Sequence, residues 1–450
     1  MTTAIKKSSA LFFYPFLMLG ALLVTLLPPI IPLGFDYFEI TYWKDSTSNS
    51  MLGTGIAFFM SSMVLRRFER FPQKNSLAFV LPVSLTLYGF MMAVLLIFRL
   101  SYSIQIIASS LLLTISILAM QHMFMSRNRH LSLCLVPLGE ALDFESTENY
   151  TFTKLNSPEF DVTEIDGVVA DMHSEVLTPQ WERFLSNCAL KRIPVYNAMQ
   201  LKETLTGKVN VKHLIANNFG DLSPSFFHQN LKRVIDVGFL VLVSPIVIPI
   251  MLAIAIWITL DSPGGPFFVQ PRMGLGGKWF NVIKFRSMYI NHEGSHFTEL
   301  GEDSRITKVG KIIRKYRIDE LPQFWNVLKG EMSLIGPRPE SAELAKWYDS
   351  EVPFFAYRHV VRPGISGWAQ VMHGYAAGVD DMKDKLAYDF YYIKHFSLWL
   401  DLLIWYKTIR TVLTGFGSRW CTLMPLINLK NRFLILIFKP VNSVVLAPNS

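Results

Sequence analysis

The sequence predicts a membrane α-helical bundle joined to α/β units: four transmembrane helices, a small cytoplasmic α/β domain, and a larger α/β domain anchored by a re-entrant helix. Three observations carry this reading. Of 450 residues, 51% are hydrophobic and only 17% charged, well below the roughly 25% charge of soluble domains. The apolar content is concentrated in four runs at the front of the chain. A fifth run, without charge but broken by prolines, opens the second half.

The four runs cover residues 11–33, 51–65, 77–98 and 102–124. Three reach the roughly 20 residues a bilayer requires, and the second is marginal. No A-x-A-like cleavage site follows the first, and Pro28, Pro29 and Pro32 interrupt its end, so it reads as a span and not a signal peptide. Lys6 and Lys7 precede the first run, Arg66, Arg67, Arg70 and Lys74 lie between the second and third, and Arg127 and Arg129 follow the fourth. The connection between the first two is acidic. The positive-inside rule therefore places both ends of residues 1–130 in the cytoplasm.

Residues 131–215 read as a small Rossmann-like α/β domain. Strand-like runs at 131–136, 165–170 and 192–196 accompany a helical pattern over 179–190. No G-x-G-x-x-G follows the first strand, so no bound dinucleotide is expected. Residues 216–229 read as a linker. Cys134, Cys188 and Cys421 lack CxxC spacing, which argues against a zinc site and a disulfide framework.

The fifth run, residues 237–260, lies between Lys232–Arg233 and a second basic group at Arg272, Lys278, Lys284 and Arg286. A spanning helix would put one group outside. Ser244-Pro245, with Pro249 beyond, predicts a bend. A helix that enters and returns satisfies both observations; the alternative is a kinked fifth span. From Phe267 to Thr414 the chain is mixed, basic and rich in Trp and Tyr, a composition suited to a membrane interface.

The chemistry points to phosphate. Arg305, Lys308, Lys311, Arg314, Lys315 and Arg317 precede any acid in their segment, and Asp319-Glu320 ends it. Helical spacing predicts a cationic stripe through this segment. Phosphoryl transfer needs cations for the phosphate oxygens and, in a covalent mechanism, a carboxylate that attacks phosphorus. Lys284-Phe-Arg286 should turn two cations to one side of an extended segment. Arg338 sits between Pro337 and Pro339, and Arg362 opens a second stiff turn. His292-Glu-Gly-Ser-His296 matches H-E-x-x-H, but its glycine and polar flanks read as a loop, where the zinc pattern does not work. The net charge of +8 is interleaved with acids on a membrane-anchored chain, so no nucleic-acid partner is expected.

Together these residues resemble the bacterial sugar transferases, the monotopic polyprenol-phosphate phosphoglycosyl transferases. The likeness runs through Lys232-Arg233-x-x-Asp236, Ser244-Pro245, Lys284-Phe-Arg286-Ser-Met288 and Arg317-Ile-Asp319-Glu320-Leu-Pro322-Gln323. It continues through Met332-Ser-Leu-Ile-Gly-Pro-Arg338-Pro339-Glu340, Arg362-Pro-Gly-Ile-Ser-Gly-Trp368-Ala-Gln370 and Tyr388-Asp389-x-x-Tyr392. Four spans and a middle domain resemble the large subgroup that initiates O-antigen, colanic acid and exopolysaccharide synthesis at the inner membrane.

The resemblance implies that residues 230–414 transfer a sugar 1-phosphate from a UDP-sugar to undecaprenyl phosphate, releasing UMP. A phosphosugar intermediate would form on Asp319, with Glu320 assisting and Mg²⁺ held by Asp319. It implies a re-entrant helix broken at Ser244 and Pro245, among membrane lipids, with Lys232 and Arg233 near the lipid phosphate. Lys284, Arg286, Arg314, Arg317, Arg338 and Arg362 are the phosphate contacts that charge suggests. Downstream glycosyltransferases would use the product, and larger members suggest a homodimer. The alternative is a non-catalytic scaffold of a polysaccharide-assembly complex. Residues 415–450 read as an interfacial tail.

Overall fold

The chain is described by a computed structural model over residues 4–34, 44–69, 71–72, 76–127, 131–147, 150–159, 165–172, 174, 176–209, 224–290, 305–374 and 378–414. The H-E-x-x-H stretch, most of the expected linker and the 415–450 tail lie outside these residues.

The four front runs form helices α1 (Ala4–Leu26), α2 (Asp45–Phe68), α3 (Val80–Ile97) and α4 (Ile104–Arg127). They pack as one bundle. Residues 13–33, 77–97 and 104–124 are long and apolar enough to cross a membrane. α2 does not reach that hydropathy because its first turns are Ser, Thr and Asn. Some of these point inward: Thr47 and Ser50 are buried, as are Thr54, Ser61 and Ser62 farther along the helix. In lipid there is no hydrophobic drive between helices, so small and hydroxyl side chains hold them together. The Tyr88 and Thr114 hydroxyls are 2.7 Å apart, and Ser110 Oγ donates to the Val24 carbonyl at 2.7 Å. Replacing Tyr88 by Phe should cost only about 0.6 kcal/mol, the usual size of such a bond in a bilayer. Unfolding of the protein in detergent would measure it.

The middle domain has four parallel strands in the order β2-β1-β3-β4: β1 (Leu131–Leu135), β2 (Tyr150–Lys154), β3 (Gly167–Ala170) and β4 (Val195–Asn197). Helices α5 (Pro179–Leu190) and α6 (Ala198–Thr206) accompany them. α5 occupies the predicted span and buries Trp181, Phe184 and Leu185 against the sheet. β2 is a strand that hydropathy does not reveal, an edge strand of mostly exposed Thr and Lys.

Next comes α7 (Phe226–Asp261), 36 residues long and exposed along much of its middle. It begins eleven residues before the apolar run, inside the expected linker. The helix continues through Pro245 and Pro249. Pro245 cannot donate to the carbonyl of Val241, and Ser244 Oγ donates to that carbonyl instead, at 2.8 Å. Both ends of α7 pack on one domain. Near its start Asp236 accepts from Ser333 Oγ at 2.6 Å, and at its end Asp261 accepts from the Val309 amide at 3.2 Å.

That domain contains the hairpin β5 (Phe267–Met273) and β6 (Trp279–Phe285), helix α8 (Lys308–Lys315) and the 3₁₀ turn Ile318–Glu320. Helix α9 (Gln323–Lys329), strand β7 (Ser333–Ile335), helix α10 (Ala342–Glu351) and strand β8 (Gly364–Ser366) follow. Helices α11 (Trp368–Met372), α12 (Val379–Lys394) and α13 (Leu398–Thr414) complete it. β7 and β8 pair in parallel. Glycine permits their approach: a Cβ on Gly364 would lie 2.0 Å from the Gly336 nitrogen. Gly364→Ala must force the two backbones apart, at about 3 kcal/mol in the upper range of overpacking, readable as a lowered unfolding midpoint.

The core of this domain, with Trp368, Phe390, Tyr392 and Leu403, extends into the bundle through Val64, Phe68 and Phe79. Phe68 meets Tyr406 edge-on, and Arg67 lies over Trp399. The arginine-bearing end of α2 therefore faces the third domain. The middle domain docks there too. Lys394 bonds buried Glu203 at 2.8 Å, Trp368 Nε1 donates to the Gly207 carbonyl at 3.0 Å, and the Val209 amide donates to the Ala387 carbonyl.

Candidate active site

The expected cationic stripe stops early. α8 begins at an N-cap where Thr307 accepts from the Gly310 amide, and it ends at Lys315. Arg317 takes a left-handed conformation, φ 56°, and starts a new 3₁₀ turn. A non-glycine residue there costs energy and marks a position held by its surroundings. The reversal carries Asp319 and Glu320 off the helix axis and into the domain.

Glu320 is 7% exposed and surrounded by cations. Arg338 Nη2 donates to its Oε1 at 2.7 Å, Lys284 Nζ is 3.7 Å from the same oxygen, and Arg317 Nη1 is 3.9 Å from Oε2. Burial alone would raise its pKa, but Arg338, Lys284 and Arg317 together hold it well below the usual carboxylate range. Glu320 raises the Arg338 pKa in return.

Asp319 is different. Among the described residues it makes no hydrogen bond or ion pair. Burial, then the neighbouring Glu320 charge, raise its pKa to about 6 against the pull of Lys284, Arg314 and Arg338. The two adjacent acids thus have different surroundings, Glu320 ion-paired within a cation cluster and Asp319 without an ion pair among the described residues.

The fold brings together Asp319, Glu320, Lys284, Arg314, Arg317 and Arg338, and it places the other expected cations elsewhere. Lys284 lies on β6, but the strand ends at Phe285, so the alternation that would align Arg286 does not continue. Arg286 is buried and donates to the carbonyls of Ser262 and Pro263 at 2.7 and 2.6 Å, closing the end of α7. Lys232 is 6% exposed and bonds Asp401 at 2.8 Å. Asp401 also accepts from the Tyr392 hydroxyl at 2.8 Å, and Tyr392 donates to the Ile335 carbonyl. Lys232 therefore ties the membrane helix to the core. Arg233 donates to the carbonyls of Val327 and Leu328, and Arg362 Nε donates to that of Gly330. Both meet the carboxyl end of α9, where cations suit the helix dipole.

A buried network lies behind Arg338; Glu340 and Asp389 belong to the motifs quoted above, but no local pattern marks Arg358 or Lys385 as their partners. Arg358 and Asp389 are each about 1% exposed and joined at 2.7 Å. Arg358 Nη2 also donates to the Arg338 carbonyl at 2.9 Å, and Lys385 bonds Glu340 at 2.6 Å. Lys385 and Arg358 offset the burial of Glu340 and hold its pKa near 2. Arg272, reaching in from β5, is a further cation of the site.

Fold and site together describe a chain with helices apolar enough to cross a membrane and a buried cluster of cations around Asp319-Glu320. Comparison with known proteins gives this chain a family. Residues 227–415 match the bacterial sugar transferase family. The UDP-N-acetylgalactosamine-undecaprenyl-phosphate N-acetylgalactosaminephosphotransferase of Aeromonas hydrophila is 46% identical over 89% of this chain and 95% of its own length. A UDP-glucose:undecaprenyl-phosphate glucose-1-phosphate transferase of Caulobacter vibrioides is 41% identical over 41% of this chain and 70% of its own. One of Escherichia coli is 38% identical over 42% of this chain and 41% of its own. This chain belongs to the bacterial sugar transferase family.

Proposed function

We propose that this enzyme transfers a sugar 1-phosphate from a UDP-sugar to undecaprenyl phosphate through a phosphosugar ester on Asp319. The observation that carries it is the pairing of Asp319, which makes no ion pair among the described residues, with the three cations Arg338, Lys284 and Arg317 around Glu320. An Asp319 oxygen attacks the phosphorus that bears the sugar. The bond to that phosphorus from the bridging diphosphate oxygen breaks, and UMP leaves with its electron pair. An oxygen of undecaprenyl phosphate then attacks the same phosphorus and displaces Asp319, giving the diphosphate-linked lipid.

Lys284, Arg338, Arg317 and Arg314 receive the phosphate oxygens, and preorganised charges of this kind are a main source of catalysis. Glu320 fixes Arg338 and Lys284 in place. The named activities of the relatives support the donor and acceptor classes. N-acetylgalactosamine is the first donor sugar to test, because the Aeromonas relative matches nearly the whole chain.

No cluster of three or more His, Cys, Asp or Glu able to hold a metal occurs among the described residues. Mg²⁺ is commonly held by one or two carboxylates together with substrate phosphates, so a lone Asp319 beside a diphosphate fits it. When bound, the ion would offset phosphate charge.

For the membrane, we propose that α7 enters and returns at the prolines. A straight helix rises about 1.5 Å per residue and would separate Asp236 and Asp261 by about 38 Å. Both contact one domain, which favours the bend. The arginine-bearing end of α2 faces that domain, which supports a cytoplasmic catalytic face.

The rate should depend on pH as a bell. Asp319 must be ionised to attack, and its pKa is raised to about 6, so kcat/KM should fall tenfold per unit below pH 6. Lys284 must be charged, and burial lowers its pKa to about 8, so the rate should also fall above pH 8. UMP release measured from pH 4.5 to 10 tests both limbs. A rate that stays level from pH 7 to pH 5 would mean that the Asp319 pKa is not raised in the working enzyme.

A further inference from the structure

We infer that Arg272 is a positioning residue for the proposed transfer: its guanidinium fixes the Pro337-Arg338-Pro339 loop and so aims Arg338 at the reacting phosphate. This rests on the reading of Arg338 as a phosphate-binding cation. Arg272 projects from β5, more than sixty residues from the loop, and donates through Nη1 to the Pro339 carbonyl at 2.7 Å. Nη2 donates to Gln270 Oε1 at 2.7 Å, which orients the fork. The strand supports the same loop, since Arg272 is bridged to Ser341 and the Met273 amide donates to the Glu340 carbonyl.

Arg358 holds the loop from the other side through the Arg338 carbonyl. The successive carbonyls of Arg338 and Pro339 are thus each gripped by an arginine, and the Arg338 side chain just before them extends to Glu320. Loop prolines limit φ but leave ψ free. The two grips fix the remaining freedom. Placing another cation beside Arg338 carries a cost, since burial and Arg338 lower the Arg272 pKa to about 10. A side chain retained only for packing would not need a charge here. A planar fork can reach a carbonyl and an amide oxygen together, whereas an ammonium is a single compact point of charge.

The test uses the full-length protein in detergent, with UDP-N-acetylgalactosamine and undecaprenyl phosphate as probes and UMP release as the readout. Wild type and Asp319→Asn are run alongside. Arg272→Lys and Arg272→Gln should each lower kcat at least tenfold, with KM for the nucleotide sugar changed less than threefold and the unfolding midpoint kept within a few degrees. Gln270→Ala, which keeps the charge but releases the fork, should lower kcat three- to tenfold. Unchanged kcat in both Arg272 variants overturns the inference. A rise in KM alone also overturns it, because Arg272 would then bind substrate directly. If the Arg272 variants lose their fold, unchanged kcat in Gln270→Ala overturns it instead. A wild type inactive with UDP-N-acetylgalactosamine and with UDP-glucose, by contrast, would reject the proposed function and not this inference.

Discussion

Asp319→Asn is expected to lower UMP release by at least about 10⁴-fold, the scale seen when a covalent nucleophile is removed, while leaving the protein folded. Asparagine has the same shape, but its amide cannot attack phosphorus. No ion pair is lost among the described residues. The stability effect has a definite sign. A carboxyl whose folded pKa is raised to about 6 adds stability at low pH and loses it as pH rises through that value, so at pH 7 its charge is a cost. The neutral variant should therefore unfold at the same temperature as wild type or slightly above it. Donor binding should persist, because Lys284, Arg338 and Arg317 remain. A variant that turns over within tenfold of wild type would reject the nucleophile. A variant that aggregates would contradict the assignment of Asp319 as an uncommitted group.

The largest expected stability effect lies behind the site. Arg358→Met should destabilise the protein by about 3–5 kcal/mol, because removing one partner of a buried pair leaves the other charge unsatisfied. Asp389 is about 1% exposed and lies 2.7 Å from Arg358, and burial already raises its pKa despite that partner. In a domain of this size the loss corresponds to an unfolding midpoint roughly 10 °C lower. The double variant Arg358→Met/Asp389→Leu removes the stranded charge and should recover at least half of the loss. Activity should not return with it, because the Arg338 carbonyl has lost its donor. A midpoint within 2 °C of wild type in the single variant would mean that the pair is solvated and the network carries little.

What the sequence discloses follows the range of the interaction. The apolar runs and the 179–190 helix are legible because burial repeats at the period of the element. Asp319-Glu320 stands out because six cations precede it within residues 305–320, although Lys284 and Arg338, which pair with Glu320, lie farther along the chain. Arg272, Arg358 and Lys385 leave no such signal, since their partners lie tens of residues away; Asp389 falls in a quoted motif, but its pairing with Arg358 does not show there. Arg286 shows the opposite failure. Alternation places it with Lys284, but β6 ends between them and the end of α7 needs a donor. Lys232 and Arg233 look like membrane-facing cations until the fold supplies Asp401 and the carbonyls of α9. The left-handed turn at Arg317 is equally hidden, because no glycine marks it, and that turn carries both carboxylates off the helix.

The most direct test of the account is to mix the purified protein with UDP-N-acetylgalactosamine and Mg²⁺ in the absence of lipid acceptor, quench it, and weigh the intact chain and its peptides. The expected result is a mass increase of one sugar phosphate on the peptide containing Asp319, absent in Asp319→Asn and discharged when undecaprenyl phosphate is added. A protein that turns over with both substrates yet never carries that mass would contradict it, and would point to direct transfer with Asp319 acting only as a Mg²⁺ ligand.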